Sequence, residues 1–233
     1  MRLNGLILAA GLSSRMGKFK PLLDGKGKTV IERTVKSMLG GGAERITVVL
    51  GYNAQAVENV LRQNFADSKL SFAYNDKYLE TDMLYSIKCG LSALPDCDGF
   101  FLLPGDMPGV NVQTFVKLAD AVKQLDISWE KTVRKTGLGQ RNLLFPQCFI
   151  RGAGGVSCAK LVFPLLNGRR RHPPLVSSEC IPEIMSFEGK GGLRGLWRQY
   201  EGKILNVPVE DLGCEMDLDT MDDYVKWITT LLD

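Results

Sequence analysis

Short apolar runs alternate with stretches in which apolar residues recur at helical spacing. The runs at residues 5–10, 46–50, 70–74 and 100–103 have the length and composition of buried strands. The residues at helical spacing are Val30, Ile31, Val35, Met38 and Leu39; Val57, Val60, Leu61 and Phe65; Leu84, Ile87, Leu91 and Leu94; and Phe115, Leu118, Ala119, Val122 and Leu125. This β-then-α order predicts a mostly parallel sheet covered by helices.

Sheets of this kind bind ligands at the carboxyl ends of their strands. The loops at residues 11–20, 75–86 and 104–110 follow predicted strands. We therefore expect these three loops to face one crevice.

The regular pattern breaks over residues 126–157, which carry several glycines and arginines and lack a clear period. A structureless stretch of this length is unusual inside a compact domain, so we interpret it as an insertion, either a lid or a mobile loop. Beyond it, the pattern predicts strands at residues 160–163 and 204–209 and a closing helix at 224–232. The length of 233 residues fits one domain over residues 1–233.

The overall composition excludes some partners without naming a function. The apolar share is 45%, the charged share 24% and the net charge +3, which favours no nucleic-acid or membrane partner. No apolar run approaches the roughly 18 residues of a membrane span, and no cleavage pattern follows the N-terminal apolar patch. The six cysteines have no C-x-x-C spacing, so we expect reduced thiols in a cytoplasmic protein.

Candidate phosphate-binding chemistry follows the first strand. The loop combines glycines, hydroxyls and cations, namely Gly11, Ser13, Ser14, Arg15, Gly17, Lys18 and Lys20. Glycine lets backbone N–H groups approach phosphate oxygens and the cations neutralise their charge, although a Gly-rich turn with solvated cations is the alternative. Five residues separate Gly11 from Gly17 and Phe19 follows Lys18, which excludes a Walker A loop; Ser13 excludes G-x-G-x-x-G.

Residues 8–23, LAAGLSSRMGKFKPLL, closely resemble the N-terminal motif of the MobA-like nucleotidyltransferases, and within them the molybdenum cofactor cytidylyltransferases. The resemblance implies a Rossmann-like, three-layer α/β/α fold and a loop that wraps a nucleotide triphosphate. It makes Arg15 and Lys20 the catalytic cations, and LAAG favours CTP over GTP. The nucleotide-binding residues that it implies here are Ala9, Ala10, Gly11, Ser13, Ser14 and Gly17.

Two acidic motifs are candidates for a metal site. Asp106 follows a buried strand, where a turn residue is the alternative, and it matches the family's magnesium-binding D-x-P motif. Asp217 and Asp219 match the family's D-I-D-T-P-E-D, with Asp219 favoured and Asp217 second. Helix capping by Asp219 or Thr220 is the rival interpretation. Two carboxylates with triphosphate oxygens and water suffice for Mg²⁺.

Three later segments resemble family motifs less completely. Residues 80–87 fit G-M-S-x-S-L mainly at Met83 and Ser86, which implies a nucleotide contact for Ser86; capping by Thr81 or Asp82 is the alternative. Residues 167–175 resemble G-R-R-G-H-P-V-L, which implies that His172 and Arg170 bind the acceptor. Residues 189–194 resemble G-D-Q-G-A-R, which adds Arg194, although Lys190 reverses the family's charge.

The resemblance implies a magnesium-dependent enzyme that transfers CMP from CTP to a phosphorylated acceptor and releases pyrophosphate. Molybdopterin is the favoured acceptor, and a molybdenum hydroxylase is a candidate recipient of the product. One alternative is a CTP or UTP transferase for a sugar or alcohol phosphate. The other is a non-catalytic nucleotide-binding maturation factor for a molybdenum enzyme.

Overall fold

The computed structural model describes the backbone of residues 1–136 and 159–231 and the side chains of residues 1–124 and 159–231. Strands and helices alternate through its first half, as the apolar pattern predicts. In chain order the elements are β1 (Leu3–Ala9), α1 (Val30–Gly40), β2 (Ile46–Leu50), α2 (Ala54–Asn64), β3 (Leu70–Tyr74), α3 (Met83–Ser92), β4 (Gly99–Pro104), α4 (Val112–Thr136), β5 (Leu161–Leu166), β6 (Arg169–Arg170), β7 (Leu175–Ser177), α5 (Ile181–Ser186), α6 (Gly192–Trp197), β8 (Ile204–Pro208) and α7 (Met221–Thr230).

The described strands form one sheet in the order β3-β2-β1-β4-β7-β5-β6, with β8 paired to β5. The first four strands of this order are parallel, with Gly5 of β1 opposite Ile46 of β2 and Phe101 of β4. β8 is also parallel to β5, whereas β7 is antiparallel to β4 and β5. The predicted mostly parallel α/β sheet is confirmed, and the loops after β1, β3 and β4 leave the same edge of it.

Alternating side chains of each strand supply two apolar cores, one on each face of the sheet. On one face, Ile7 of β1 belongs to the core with residues of α1, α2 and α4. On the other face, Leu6 of β1 belongs to the core with residues of α3, α5 and α6. Because successive strand side chains point to opposite faces, this alternation produces three layers, helices–sheet–helices.

Gly90 allows α3 to lie close to the sheet. A Cβ at this position would stand 2.4 Å from Leu6 Cδ1 and 2.6 Å from Val49 Cγ2, below any ordinary contact distance. The absence of a side chain at Gly90 therefore sets how closely α3 packs on the sheet. The first turn of α3 carries the predicted nucleotide-binding residue Ser86.

α7 is attached to the start of α1 by a small apolar cluster. Trp227 is 1% exposed and packs with Val30 and Leu218. Arg33 lies with its guanidinium carbon 6.0 Å from the centre of the Trp227 ring. Since Leu218 immediately precedes Asp219, this cluster also anchors one of the predicted metal-binding residues.

Replacing Trp227 with alanine is expected to lower the free energy of unfolding by about 3–5 kcal/mol, because a fully buried aromatic side chain leaves a cavity. Chemical denaturation measures the change. The matched control is Val225→Ala on the same helix, where the side chain is 56% exposed and the expected change is within about 0.5 kcal/mol. Equal effects of the two substitutions would contradict this account of how α7 is held.

Several boundaries differ from the predictions. α4 continues to Thr136, so the predicted break at residue 126 came too early; residues 137–158 of the predicted insertion or lid lie outside the described residues. β6 and β7 were not predicted, because two- and three-residue strands carry no measurable alternation. The single-domain assignment stays a prediction.

Two sequence expectations concern single features. Cys89, Cys97, Cys180 and Cys214 are free thiols, as expected, and Cys148 and Cys158 fall outside the described residues. Within residues 1–136 and 159–231, we find no helix with the length and apolar character needed to cross a membrane.

Candidate functional site

Lys20 joins the two acidic motifs that the sequence places far apart. Its Nζ lies 3.0 Å from Asp106 Oδ2 and 2.8 Å from Asp219 Oδ1. The Lys20 side chain is only 9% exposed, so its ammonium group is held between the carboxylates rather than in solvent. Arg15 approaches from the outside, with Nη1 2.9 Å from Asp219 Oδ2. Two cations and two carboxylates thus form one cluster.

Backbone contacts position the two carboxylates of this cluster. Asp106 follows β4, and Asp219 precedes α7. The N–H of Leu218 donates to the carbonyl of Asp106 at 3.0 Å, which ties the two loops together. Thr220 caps α7 in a reciprocal capping box with Asp223. Thr220, rather than Asp219, therefore fills the capping role, and the Asp219 carboxylate is left for the cluster.

The charges of the cluster change the protonation equilibria of its members. Burial lowers the pKa of Lys20, but the hydrogen bonds and charges of Asp219 and Asp106 outweigh it, and the pKa is raised above the ordinary lysine value. The hydrogen bond from Lys20 and the charges of Lys20 and Arg15 hold the pKa of Asp219 below its usual range. The ammonium and the carboxylate therefore both stay ionised at neutral pH.

The loop after β1 folds back on itself before it delivers Lys20. The Lys20 N–H donates to Ser13 Oγ at 3.1 Å, which closes the loop. Ser13 and Gly17 adopt positive φ angles of 56° and 66° on either side of a short turn, Ser14–Met16. Arg15 projects from this turn with 76% of its side chain exposed. The loop thus buries Lys20 and leaves Arg15 accessible.

A cavity of about 300 Å³ lies beside the cluster, between the loop and α3. It brings together residues from three of the predicted motifs. Those that line it are Ala9, Ala10, Gly11, Ser13, Lys20, Ser86 and Asp106. Ser14, Arg15 and Gly17 lie on the same loop but not in the lining. The prediction that the loops after β1, β3 and β4 face one crevice is confirmed by this lining.

A second cavity, of about 720 Å³, adjoins the first and shares Leu8, Met83 and Pro104 with it. Its lining includes the predicted acceptor-binding residues Arg170, His172 and Arg194. Asp217 also lines this second cavity and not the first. Burial raises the pKa of Asp217, and the negative charges of Asp106 and Asp219 add to the effect. Asp217 and Asp219 therefore face different surroundings.

The predicted acceptor-binding residues differ in whether their polar atoms already have partners within the protein. Arg170 pairs with both carboxylate oxygens of Glu201, at 2.7 and 3.0 Å, and donates to Asn206 at 2.9 Å. His172 is partly buried, which lowers its pKa, and its Nδ1 has no hydrogen-bond partner among the described residues. The neighbouring Arg171 pairs with Glu215. His172 Nδ1 is thus a buried atom without a partner among the described residues, whereas the Arg170 guanidinium is already paired.

The donor set at Asp106 and Asp219 suits a hard divalent cation. The residues that the structure describes contain no group of three or more histidine, cysteine, aspartate or glutamate side chains arranged for a metal. Two carboxylates nevertheless converge on one point, because both lie within 3.0 Å of Lys20 Nζ. Mg²⁺ commonly takes one or two carboxylates and completes its shell with substrate phosphates and water, so these residues fit it.

Sequence reasoning missed two residues near the first cavity. Tyr78 lines it and meets Tyr52 edge-on, with ring centres 6.3 Å apart. Asn75, directly after β3, is buried and bonds to Ser86. Its place at the carboxyl end of a parallel strand was the available signal. For Asp82, the capping interpretation holds, because its carboxylate accepts from the Tyr85 N–H at 3.0 Å.

A third cavity, of about 1010 Å³, is larger than either of these and lies elsewhere. It runs between α1 and α7, and its lining includes Lys36, Val110 and Trp227. None of the predicted site residues lines it. Cavity size is therefore a poor guide here, and the convergence of charged groups indicates the site better.

Solved structures of known proteins share this fold. Rv0371c from Mycobacterium tuberculosis H37Rv superimposes with a TM-score of 0.71 at 20% identity, covering 98% of both chains. The same protein in complex with manganese gives a TM-score of 0.64 at 18% identity, with 98% of both chains covered.

Two curated relatives match over nearly their full length. Molybdenum cofactor cytidylyltransferase from Escherichia coli (strain K12) is 27% identical over 221 residues, covering 94% of this chain and 92% of that protein. Nicotine blue oxidoreductase from Paenarthrobacter nicotinovorans is 25% identical over 224 residues, covering 95% and 94%.

The family assignment rests on a match to the family model rather than on either single relative. The model of the MobA-like NTP transferase domain matches residues 5–204, which include the loop, Asp106 and the segments predicted to bind the acceptor. The sequence-based identification of a nucleotidyltransferase enzyme is confirmed. The chain belongs to the MobA-like NTP transferase family.

Proposed function

We propose that the chain transfers CMP from CTP to a phosphorylated acceptor and releases pyrophosphate, with molybdopterin as the acceptor. The observation that carries the proposal is the Lys20 ammonium held between Asp106 and Asp219 beside a cavity lined by the Gly-rich loop. Cations and carboxylates at one point suit the transfer of a charged phosphoryl group. The name of the cytidylyltransferase relative supports the choice of CTP.

The reaction needs no protein nucleophile. An oxygen of the acceptor's terminal phosphate attacks the α-phosphorus of CTP, a new P–O bond forms, and the bond to the β-phosphate breaks with its electron pair leaving on pyrophosphate. Lys20 and Arg15 would stabilise charge on the α-phosphate and on the departing pyrophosphate. The Gly-rich loop orients the triphosphate through backbone N–H groups. Catalysis is then positioning combined with electrostatic stabilisation.

Asp106 and Asp219 would hold Mg²⁺, which when bound neutralises phosphate charge and orients the phosphate oxygens. The manganese complex of Rv0371c supports the use of a divalent cation by this fold. Lys20 now occupies the space between the two carboxylates, so we expect it to move toward the phosphates when the cation is present.

The second cavity provides the acceptor side. Trp197 and Phe163 give it apolar surface, and Arg194 and His172 give it polar groups. This combination suits a ring system that carries a phosphate. A molybdenum hydroxylase is the proposed recipient of the product, and we propose a cytoplasmic location for the enzyme.

Pyrophosphate release tests the proposal. Each of CTP, UTP, GTP and ATP is supplied with Mg²⁺ and either molybdopterin or a panel of sugar and alcohol phosphates. We expect turnover with CTP and molybdopterin. Turnover with a sugar or alcohol phosphate and none with molybdopterin would show that the acceptor is that phosphate instead. No turnover with any pair would favour a non-catalytic maturation factor.

A further inference from the structure

Asn75 has a buried amide whose orientation follows from its partners. It comes directly after β3 and is 1% exposed. Its Oδ1 accepts from the backbone N–H of Lys77 at 2.9 Å. A backbone N–H can only donate, so the atom that faces Lys77 is the amide oxygen. The other amide atom is therefore the nitrogen.

This nitrogen controls the direction of two hydroxyl groups. Asn75 Nδ2 lies 2.9 Å from Ser86 Oγ and 3.1 Å from Thr81 Oγ1. An amide nitrogen donates and does not accept, so both hydroxyl oxygens accept from it. The Thr81 proton goes to the carbonyl of Lys77 at 2.8 Å. For the Ser86 proton, no acceptor exists among the described residues.

The free proton of Ser86 is available to a ligand. Ser86 lies in the first part of α3, is 8% exposed and lines the cavity of about 300 Å³. Asn75 donates to one lone pair of the Ser86 oxygen. A ligand donor could use the second lone pair but would leave the hydroxyl proton unpaired, whereas a ligand acceptor satisfies that proton, so the hydroxyl acts toward the cavity mainly as a donor. A ligand group facing Ser86 is favoured when it is an acceptor and disfavoured when it is a donor.

We propose that Asn75 is a positioning residue that holds the Ser86 hydroxyl as a donor, so that the site selects a nucleotide whose base presents an acceptor there, such as cytosine O2 or N3. The inference rests on the proposed nucleotide-binding function and adds to it the cause of base selection. Asn75 acts through Ser86 and does not line the cavity itself.

Asn75→Asp changes the direction of this hydrogen bond with almost no change in shape. A carboxylate accepts only, so Ser86 must donate to it and would then face the base with lone pairs. We expect the affinity for CTP to fall about tenfold, the scale of one lost and one mismatched hydrogen bond. Isothermal titration calorimetry measures the binding of CTP and, separately, of inorganic tripolyphosphate, which has no base. Binding of tripolyphosphate is expected to stay unchanged.

The double-mutant cycle with Ser86→Ala separates positioning from general damage. Without the Ser86 hydroxyl, Asn75→Asp is expected to have little further effect on CTP affinity. Asn75→Ala, which adds no buried charge, is the second variant. It should lower the affinity for CTP about threefold, because the Ser86 hydroxyl is then free to rotate. Thr47→Val is the control, since it disturbs the part-buried Thr47–Ser71 hydroxyl pair in the neighbouring strands and should leave CTP affinity unchanged.

The outcomes distinguish this inference from the proposed function. If the wild type binds CTP and both Asn75 variants bind it equally well, the inference is wrong and the function stands. Equal losses for CTP and tripolyphosphate would also overturn it, because the damage would then be structural. If the wild type binds no nucleoside triphosphate, the proposed function fails as well.

Discussion

Lys20→Met is expected to reduce the rate of pyrophosphate release about a thousandfold at saturating CTP, the scale seen when a preorganised charge-stabilising group is removed. Methionine retains most of the length of the side chain and lacks the ammonium group that lies between Asp106 and Asp219. Initial rates measure the effect, and calorimetric titration with CTP separates loss of turnover from loss of binding.

Lys18→Met is the matched control for this substitution. Lys18 belongs to the same loop but is exposed. We expect its replacement to change turnover less than about threefold, as is usual for a solvated surface charge. A large loss with Lys18→Met and activity retained with Lys20→Met would reverse the assignment and move the catalytic role to the exposed cation.

Lys20→Met should also change how the free energy of unfolding depends on pH. The pKa of Asp219 is lowered, first by its hydrogen bond with Lys20. A carboxyl group whose folded-state pKa is lowered stabilises the protein above its unfolded-state pKa, and this stabilisation is lost as the pH falls through the folded-state pKa. The wild type should therefore lose stability on acidification over that range. Lys20→Met should lose less stability than the wild type over the same pH range. Chemical denaturation at a series of pH values measures the difference in the free energy of unfolding.

Asp106→Asn is the second substitution with a large expected effect, a loss of about a thousandfold in turnover, because a metal ligand contributes several kcal/mol to the transition state. Asparagine keeps the shape and removes the negative charge that lies 3.0 Å from Lys20 Nζ. The affinity for Mn²⁺, followed by electron paramagnetic resonance in the presence of CTP, is expected to fall in parallel.

Asp120→Asn is the control, since Asp120 lies on α4 and pairs with Lys123 at the surface. It should leave both turnover and Mn²⁺ affinity unchanged. Maturation of a molybdenum enzyme that survives Asp106→Asn, with turnover abolished, would support the non-catalytic maturation factor instead.

Asp217 and Asp219 can be separated in the same experiment. Asp219→Asn should behave as Asp106→Asn does, because both carboxylates contact Lys20. Asp217 lines the second cavity, so Asp217→Asn should mainly raise the KM for the acceptor. A large loss of Mn²⁺ affinity in Asp217→Asn would make Asp217 the metal ligand.

The order of strands and helices in the first half was predictable because it depends on local periodicity. The runs that form β2 and β3 were predicted with their observed ends. β7 was not, since it has three residues and owes its place to pairing with β4 and β5. The length of α4 was also underestimated, because charged residues obscure the period beyond residue 126.

The candidate site was predictable in its chemistry and less so in its geometry. The loop motif contains three cations, and no property of the sequence explains why Lys20 is buried while Lys18 is exposed. Asn75 was missed for a related reason. Its importance lies in its contacts with Ser86 and Lys77, and a lone asparagine after a strand is typical of many turns.

By itself, the sequence determined the alternation of strands and helices, the residue types of the candidate phosphate-binding loop and the positions of the two acidic motifs. These depend on neighbouring residues and on the types of their side chains. The tertiary structure alone decided which charges meet: Lys20 and Asp106 are 86 positions apart, and Lys20 and Asp219 are 199 apart. Such pairs are set by the packing of distant strands and of α7, and no local pattern encodes that packing.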